Sequence, residues 1–150
     1  VSCRGGKSVL MVVADRKIRK VHLRLLPNRE AETTRLAMFE IAQLAKAYGG
    51  LQSLTVDNDT AHNNLHYLEP VFKDSQLKVL FCDPYKAWQR GTIEAINGIL
   101  RRWFPKGTNF DLVTKEQVQF VEDWFNNRPM DVLGGITPNM AYQLEIKKAA

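Results

Sequence analysis

Ser8-Val-Leu-Met-Val-Val-Ala14, Asp15-Arg-Lys17 and Lys20-Val-His-Leu-Arg-Leu-Leu26 form the stretch on which the fold turns. The first run is continuously apolar and rich in β-branched residues, which suits a strand buried on both faces. The charged tripeptide reverses the chain. The last run alternates, with Val21, Leu23 and Leu25 on one side and His22 and Arg24 on the other. That is the period of a half-exposed strand. Upstream, residues 1–4 end at Gly5-Gly6, a pair that favours a tight hairpin between strand-like runs. The three runs predict an antiparallel meander. The cationic cluster Arg16, Lys17, Arg19 and Lys20 reads as a solvated turn in preference to a track for an anionic polymer.

Downstream the period changes. Pro27-Asn28 breaks the strand pattern, and Ala37, Met38, Ile41, Leu44, Ala45 and Tyr48 share one stripe of a helix over 30–48. Gly49-Gly50 stops it. Residues 51–56 form a short strand that runs into Asp57-Asn-Asp59. A helix is expected over 61–75, an apolar strand over 77–81, a loop over 84–91 and a helix over 92–104. Ile93, Ile96, Leu100 and Trp103 line the last helix, and Trp103 and Trp124 both fit core stripes. Thr114-Lys-Glu-Gln117 is a capping box. It opens a helix through Val118, Val121 and Phe125 that ends at 126–129. Thr137-Pro138 supplies an N-cap and a first-turn proline for a final helix to about Lys147.

The order is therefore β-β-β-α-β-α-β-α with two further helices. It predicts an α/β fold with a mixed five-stranded sheet and helices on both faces, ribonuclease H-like in its sequence of elements. The length, 150 residues, is that of one domain, and 45% apolar residues can form a core. The net charge of +5 and pI near 9.3 favour an acidic partner, nucleic acid above all. Cys3 and Cys82 are too few for a disulfide framework and match no zinc motif, leaving free thiols in a reducing compartment. No apolar run approaches the roughly 18 residues of a membrane span, and the polar first seven residues are no signal peptide. The chain does not begin with Met, so a fragment of a longer protein is expected.

Acidic residues at strand and helix ends are the informative ones. Asp57 closes a strand, and Glu94 stands in the first turn of a helix. The chain between them has room for helix, strand and loop, which in a mixed sheet returns it beside its start. Two carboxylates so converged suit Mg²⁺, which prefers carboxylate, water and phosphate oxygens. Spacing alone favours the plainer reading, in which Asp57 caps the following helix and Glu94 complements a helix N-terminus. His62 and His66 stand four apart, a helical zinc spacing, but no third ligand is evident.

The residues around these acids carry more. Phe81-Cys-Asp-Pro-Tyr-Lys-Ala-Trp-Gln-Arg-Gly-Thr-Ile-Glu-Ala-Ile-Asn-Gly-Ile-Leu-Arg-Arg-Trp-Phe-Pro-Lys-Gly-Thr108 closely resembles bacterial insertion-sequence transposases of the DDE class. The nearest branch is the insertion sequence 30 type, whose core is retroviral-integrase-like. Such enzymes carry Asp-Pro-Tyr-x-x-Trp-Gln-Arg-Gly-Thr-x-Glu, here 83–94, and the resemblance implies that Glu94 is the last catalytic acid. Leu54-Thr-Val-Asp-Asn58 is similar to the strand bearing the second acid, which implies the same of Asp57. Val121-Glu-Asp-Trp-Phe-Asn-Asn-Arg-Pro129 and Thr137-Pro138 resemble the C-terminal helices.

The resemblance implies an integrase-type catalytic core over 1–150, its first strand truncated. It also implies a two-metal Mg²⁺ or Mn²⁺ site, and nicking and strand transfer on transposon ends and target DNA. A homodimer or higher assembly in the bacterial cytoplasm, at the nucleoid, goes with this. Tyr85, Lys86, Trp88, Gln89 and Arg90 precede Glu94 on a loop, where aromatic and basic residues would stack on an unpaired base and hold phosphates. Trp88 reads equally well as a core anchor. Asn97 and Arg101 share the Glu94 face at i+3 and i+7.

Three departures qualify the match. Aligning Asp15-Arg-Lys17 with the corresponding tripeptide puts the first catalytic Asp just before Val1, so the fragment is expected to be inactive alone. Asp59-Thr60-Ala61-His62 stands where Gly-x-Glu-Phe is usual. Ile93 and Ala95 replace the Asn residues that commonly flank the Glu. The competing reading is a non-catalytic DNA-binding or dimerisation module from a truncated or decayed element; a third is a ribonuclease H-like nuclease without strand transfer.

Overall fold

The structure, a computed structural model, describes residues 6–50, 53–56, 78–81 and 91–149. β1 (Val9–Ala14) and β2 (Val21–Leu26) pair antiparallel, with Val9 opposite Leu26 and Ala14 opposite Val21. Opposed residues share a face. Leu10 with Leu25, Val12 with Leu23 and Ala14 with Val21 therefore make one surface, and Met11 with Arg24 and Val13 with His22 the other. Asp15 builds the turn. Its Oδ1 accepts from the backbone N–H of Lys17 at 2.7 Å and of Ile18 at 3.0 Å, and its own N–H donates to the Lys20 carbonyl at 2.8 Å. Arg19 in this turn has φ 59°, left-handed backbone that a residue with a Cβ rarely adopts.

Helices cover both faces of this ladder. Leu10, Val21 and Leu23 pack with Ile96, Leu100, Phe104, Phe110, Val118, Val121 and Phe125. These come from α2 (Gly91–Trp103) and Phe104 just after it, a 3₁₀ turn at Phe110–Leu112, and α3 (Lys115–Asn126). On the other face α1 (Ala31–Lys46) packs against β2 and buries Ala37, Met38, Ile41, Ala42 and Ala45. The alternation over 20–26 predicts a half-exposed strand, yet His22 is only 4% exposed. α1 roofs the side that the pattern assigns to solvent. In β1 the expectation of burial on both faces is met in part: Leu10 is fully buried and the rest are half-buried.

α3 also closes the outer edge of β2. Asn126 accepts from the Val21 N–H through Oδ1 and donates to the Val21 carbonyl through Nδ2, both at 2.8 Å. One turn earlier, Glu122 Oε2 accepts from the Leu23 N–H at 2.6 Å and from Arg24 Nη1 at 3.1 Å. Side chains of a helix thus pair backbone groups that a neighbouring strand would otherwise take.

The local signals in the sequence are realised. Thr114 Oγ1 accepts from the Gln117 N–H while Gln117 Oε1 accepts from the Thr114 N–H, the full capping box. Thr137 Oγ1 accepts from the Met140 N–H, and Pro138 opens α4 (Pro138–Ala149). Gly49 and Gly50, at φ 103° and 77°, stop α1. Trp103 differs from expectation: it is 39% exposed, edge-on to Phe120 and Trp124 with ring centroids 5.6 and 5.7 Å away. The helix ends at Trp103, and Phe104 and Phe110 turn into the core instead.

β3 (Ser53–Val56) and β4 (Lys78–Phe81) form a parallel pair. Among the described residues the strands make two two-stranded ladders. The first strand of the expected meander and the helix expected over 61–75 lie outside the described residues.

Candidate active site

Val56 pairs with Phe81, so β3 and β4 end together at one edge of their ladder. In open α/β sheets ligands bind outside the carboxyl ends of such strands. Asp57 follows Val56 directly, and residues 82–90 lead from Phe81 into α2 at Gly91. Asp57, Tyr85, Lys86, Trp88, Gln89 and Arg90 lie outside the described residues, as do Asp59, Asp83, His62 and His66.

The remaining site candidates sit on α2. Glu94 lies in its first turn, exposed, with no hydrogen bond or ion pair among the described residues. Asn97 follows on the same face, half-buried, and its Oδ1 is buried without a hydrogen-bond partner among the described residues. Leaving such an acceptor unpaired costs about 1–3 kcal/mol. Arg101, one turn further, is exposed. The helix therefore presents carboxylate, amide and guanidinium in a row along one face.

Asp15 is not a further ligand. Its Oδ1 holds the turn, and its Oδ2 accepts the Tyr48 hydroxyl at 2.9 Å. Burial and the Asp15 carboxylate together push the Tyr48 phenol well above its ordinary range. The basic turn is solvated at Arg16 and Lys17, which are exposed, and half-buried at Arg19 and Lys20. Lys17 pairs with Glu145, while Lys20 donates to Asn139 and sits 4.7 Å above the Tyr142 ring. Burial lowers the Lys20 ammonium below its usual range, against the pull of Glu122 and Asp123. Arg19 points elsewhere: its Nη1 donates to Thr92 Oγ1 at 3.3 Å, in the first turn of α2. Neither Arg19 nor Thr92 stands out in the sequence as a site residue, since the turn carries no glycine to mark its left-handed backbone.

Among the described residues no three His, Cys, Asp or Glu side chains gather as metal ligands. The donors that are described fit a hard cation in kind, because Glu94 offers unengaged carboxylate oxygens.

No family model matches the chain. The transposase for insertion sequence element IS4351 of Bacteroides fragilis is 32% identical over 140 residues, which cover 93% of this chain and 41% of that protein. The InsI transposase for insertion sequence element IS30A of Escherichia coli is 45% identical over 62 residues, 41% of this chain and 16% of its own length. The crystal structure of the catalytic core domain of BIV integrase matches with a TM-score of 0.72 at 20% identity, covering 100% of this chain and 94% of that one. The chain is a transposase/integrase-like core. The ribonuclease H-like fold expected from its element order is the fold of this core. It spans about two fifths of the length of the IS4351 transposase.

Proposed function

We propose that this core performs metal-dependent DNA strand cleavage and strand transfer in transposition, with Asp57 and Glu94 as two carboxylate ligands of Mg²⁺ or Mn²⁺. The observation that carries the reading is Glu94, exposed in the first turn of α2 and without a hydrogen bond or ion pair among the described residues, in a chain of which 93% matches an insertion-sequence transposase. Divalent ions held there would supply charge stabilisation at phosphorus for the attacking and leaving oxygens. The protein's own side chains do the rest. Lys86, Arg90 and Arg101 hold phosphates. Tyr85 and Trp88 stack on an unpaired base beside the cleaved bond, and Gln89 and Asn97 orient the strand by hydrogen bonds.

Each step in this reading is an in-line displacement at phosphorus. Water attacks a phosphodiester and the 3′-oxygen leaves, taking a proton. That 3′-hydroxyl then attacks a phosphodiester of the target, and a target oxygen leaves in turn. The substrates are transposon ends and target DNA, and the working form is a dimer or larger assembly in the cytoplasm, at the nucleoid. Among the described residues no helix is long and apolar enough to cross a membrane.

The test is Mn²⁺ titration followed by incubation with labelled transposon-end DNA. The parent chain is expected to bind Mn²⁺, and Asp57→Asn and Glu94→Gln each to weaken that binding at least tenfold. Equal binding by all three would remove both residues from the metal site. Hydrolytic nicks without joined products, from the full-length protein, would replace strand transfer by plain nuclease activity.

A further inference from the structure

The turn between β1 and β2 reaches two parts of the molecule. On one side it is locked in place. Lys17 pairs with Glu145 and Lys20 donates to Asn139, both on α4. Tyr48, just beyond α1, donates to Asp15 and meets Tyr142 edge-on at 5.2 Å. On the other side Arg19 extends to Thr92, two residues before Glu94.

Among the described residues, the first turn of α2 has little else to hold it. The first N–H groups of a helix have no intrahelical acceptor. Gly91 is exposed, and a Cβ built there would meet nothing within 4 Å. Thr92 and Ile93 are half-buried, and Ile96 is the first buried residue of the helix. Among the described residues, the core thus grips the turn that carries Glu94 from its far side, at Ile96.

The Arg19 contact is made against two unfavourable terms. Arg19 holds a left-handed φ of 59° that a glycine would adopt freely. Its guanidinium also approaches the positive end of the α2 dipole. The left-handed residue lies within the loop that the Asp15 N–H closes onto the Lys20 carbonyl, so the hairpin itself sets the direction in which Arg19 leaves the turn.

We infer that Arg19 is a positioning residue for Glu94: by fixing the Thr92 hydroxyl to a turn anchored on α4, it fixes where the Glu94 carboxylate points. The inference rests on the reading of Glu94 as a metal ligand. Outer residues that orient a ligand typically contribute tenfold or more to metal affinity.

The test measures Mn²⁺ binding to the 150-residue chain by electron paramagnetic resonance, without DNA, alongside thermal melting. Thr92→Val and Arg19→Gly are expected to weaken Mn²⁺ binding about tenfold each. The double variant should be no weaker than either, because both remove one contact. Arg19→Lys, which keeps a donor, should recover part of the affinity. Arg19→Gly also releases the left-handed strain, so its Tm should hold or rise while affinity falls. Parent-like Mn²⁺ binding by Thr92→Val and Arg19→Gly, with Glu94→Gln impaired, would overturn the positioning role and leave Glu94 as a ligand. Parent-like binding by Glu94→Gln would overturn the ligand reading and the inference with it. Affinity that falls only in step with Tm across the series would make Arg19 part of the scaffold, and overturn the role too.

Discussion

Asn126 grips the peptide of Val21 in both directions, accepting from its N–H and donating to its carbonyl at 2.8 Å each. Both residues are buried, so neither backbone group has water to fall back on. Replacing Asn126 with Leu should cost about 2–6 kcal/mol, since two buried polar groups lose their partner at about 1–3 kcal/mol each. Urea denaturation measures this. A change below about 0.5 kcal/mol would show that the clamp is incidental.

His22 makes the fold sensitive to mild acid. Burial, then the nearby Lys20 and Arg24 cations, lower its pKa to about 4, with Asp15 pulling weakly the other way. The unfolded chain takes up this proton near pH 6.5 while the folded chain resists it until about pH 4. The stability that His22 contributes as a neutral group is therefore complete above about pH 6.5 and drains away as the pH falls toward 4. The loss at the lower end is on the order of 3 kcal/mol. Melting curves across that window should show the decline, and His22→Gln should flatten it. An unchanged slope in the variant would assign the acid sensitivity elsewhere.

Two phenylalanines on α3 should behave differently. Phe125 is fully buried in the main cluster, whereas Phe120 is 60% exposed against Trp103. Phe125→Ala should cost about 3–5 kcal/mol. Phe120→Ala should cost less than about 1 kcal/mol, the worth of an exposed aromatic pair. Similar losses from the two would mean that the exposed face is covered in solution.

Glu94 should separate activity from stability. Its carboxylate engages no partner among the described residues, so Glu94→Gln should leave Tm unchanged. Strand cleavage by the full-length protein should fall at least a hundredfold, as expected for a lost metal ligand. A variant that retained cleavage would transfer the role to another carboxylate.

Arg101 should act through charge alone. Arg101→Ala is expected to weaken DNA binding uniformly across sequences and to reduce the slope of log affinity against log salt by about 1. An unchanged slope would remove Arg101 from the phosphate path.

What could be read in the residues follows the range of the interactions. The strands of the hairpin, the Thr114 box and the Thr137-Pro138 start are signals spanning a few residues, and each stands as expected. The α1 stripe holds at Ala37, Met38, Ile41 and Ala45, while Leu44 is 45% exposed and Tyr48 lies past the end of the helix. The burial of His22 depends on α1, a separate element packed over β2 that the alternation of the strand does not register. The exposure of Trp103 follows from where its helix stops, which a helical stripe does not say. Glu94, Asn97 and Arg101 were legible as one face from spacing alone. The Arg19–Thr92 contact was not, since it joins segments from opposite halves of the chain through a backbone conformation that arginine does not advertise. Asp57 and the loop before Gly91 owe their reading to motif resemblance.

The clamp on β2 also bears on how copies of this core can exchange segments. Strand swapping between proteins needs an open margin of backbone donors and acceptors. Asn126 and Glu122 occupy that margin on β2. A visiting strand therefore finds no free border along β2, which is shut by the same helix that completes the core.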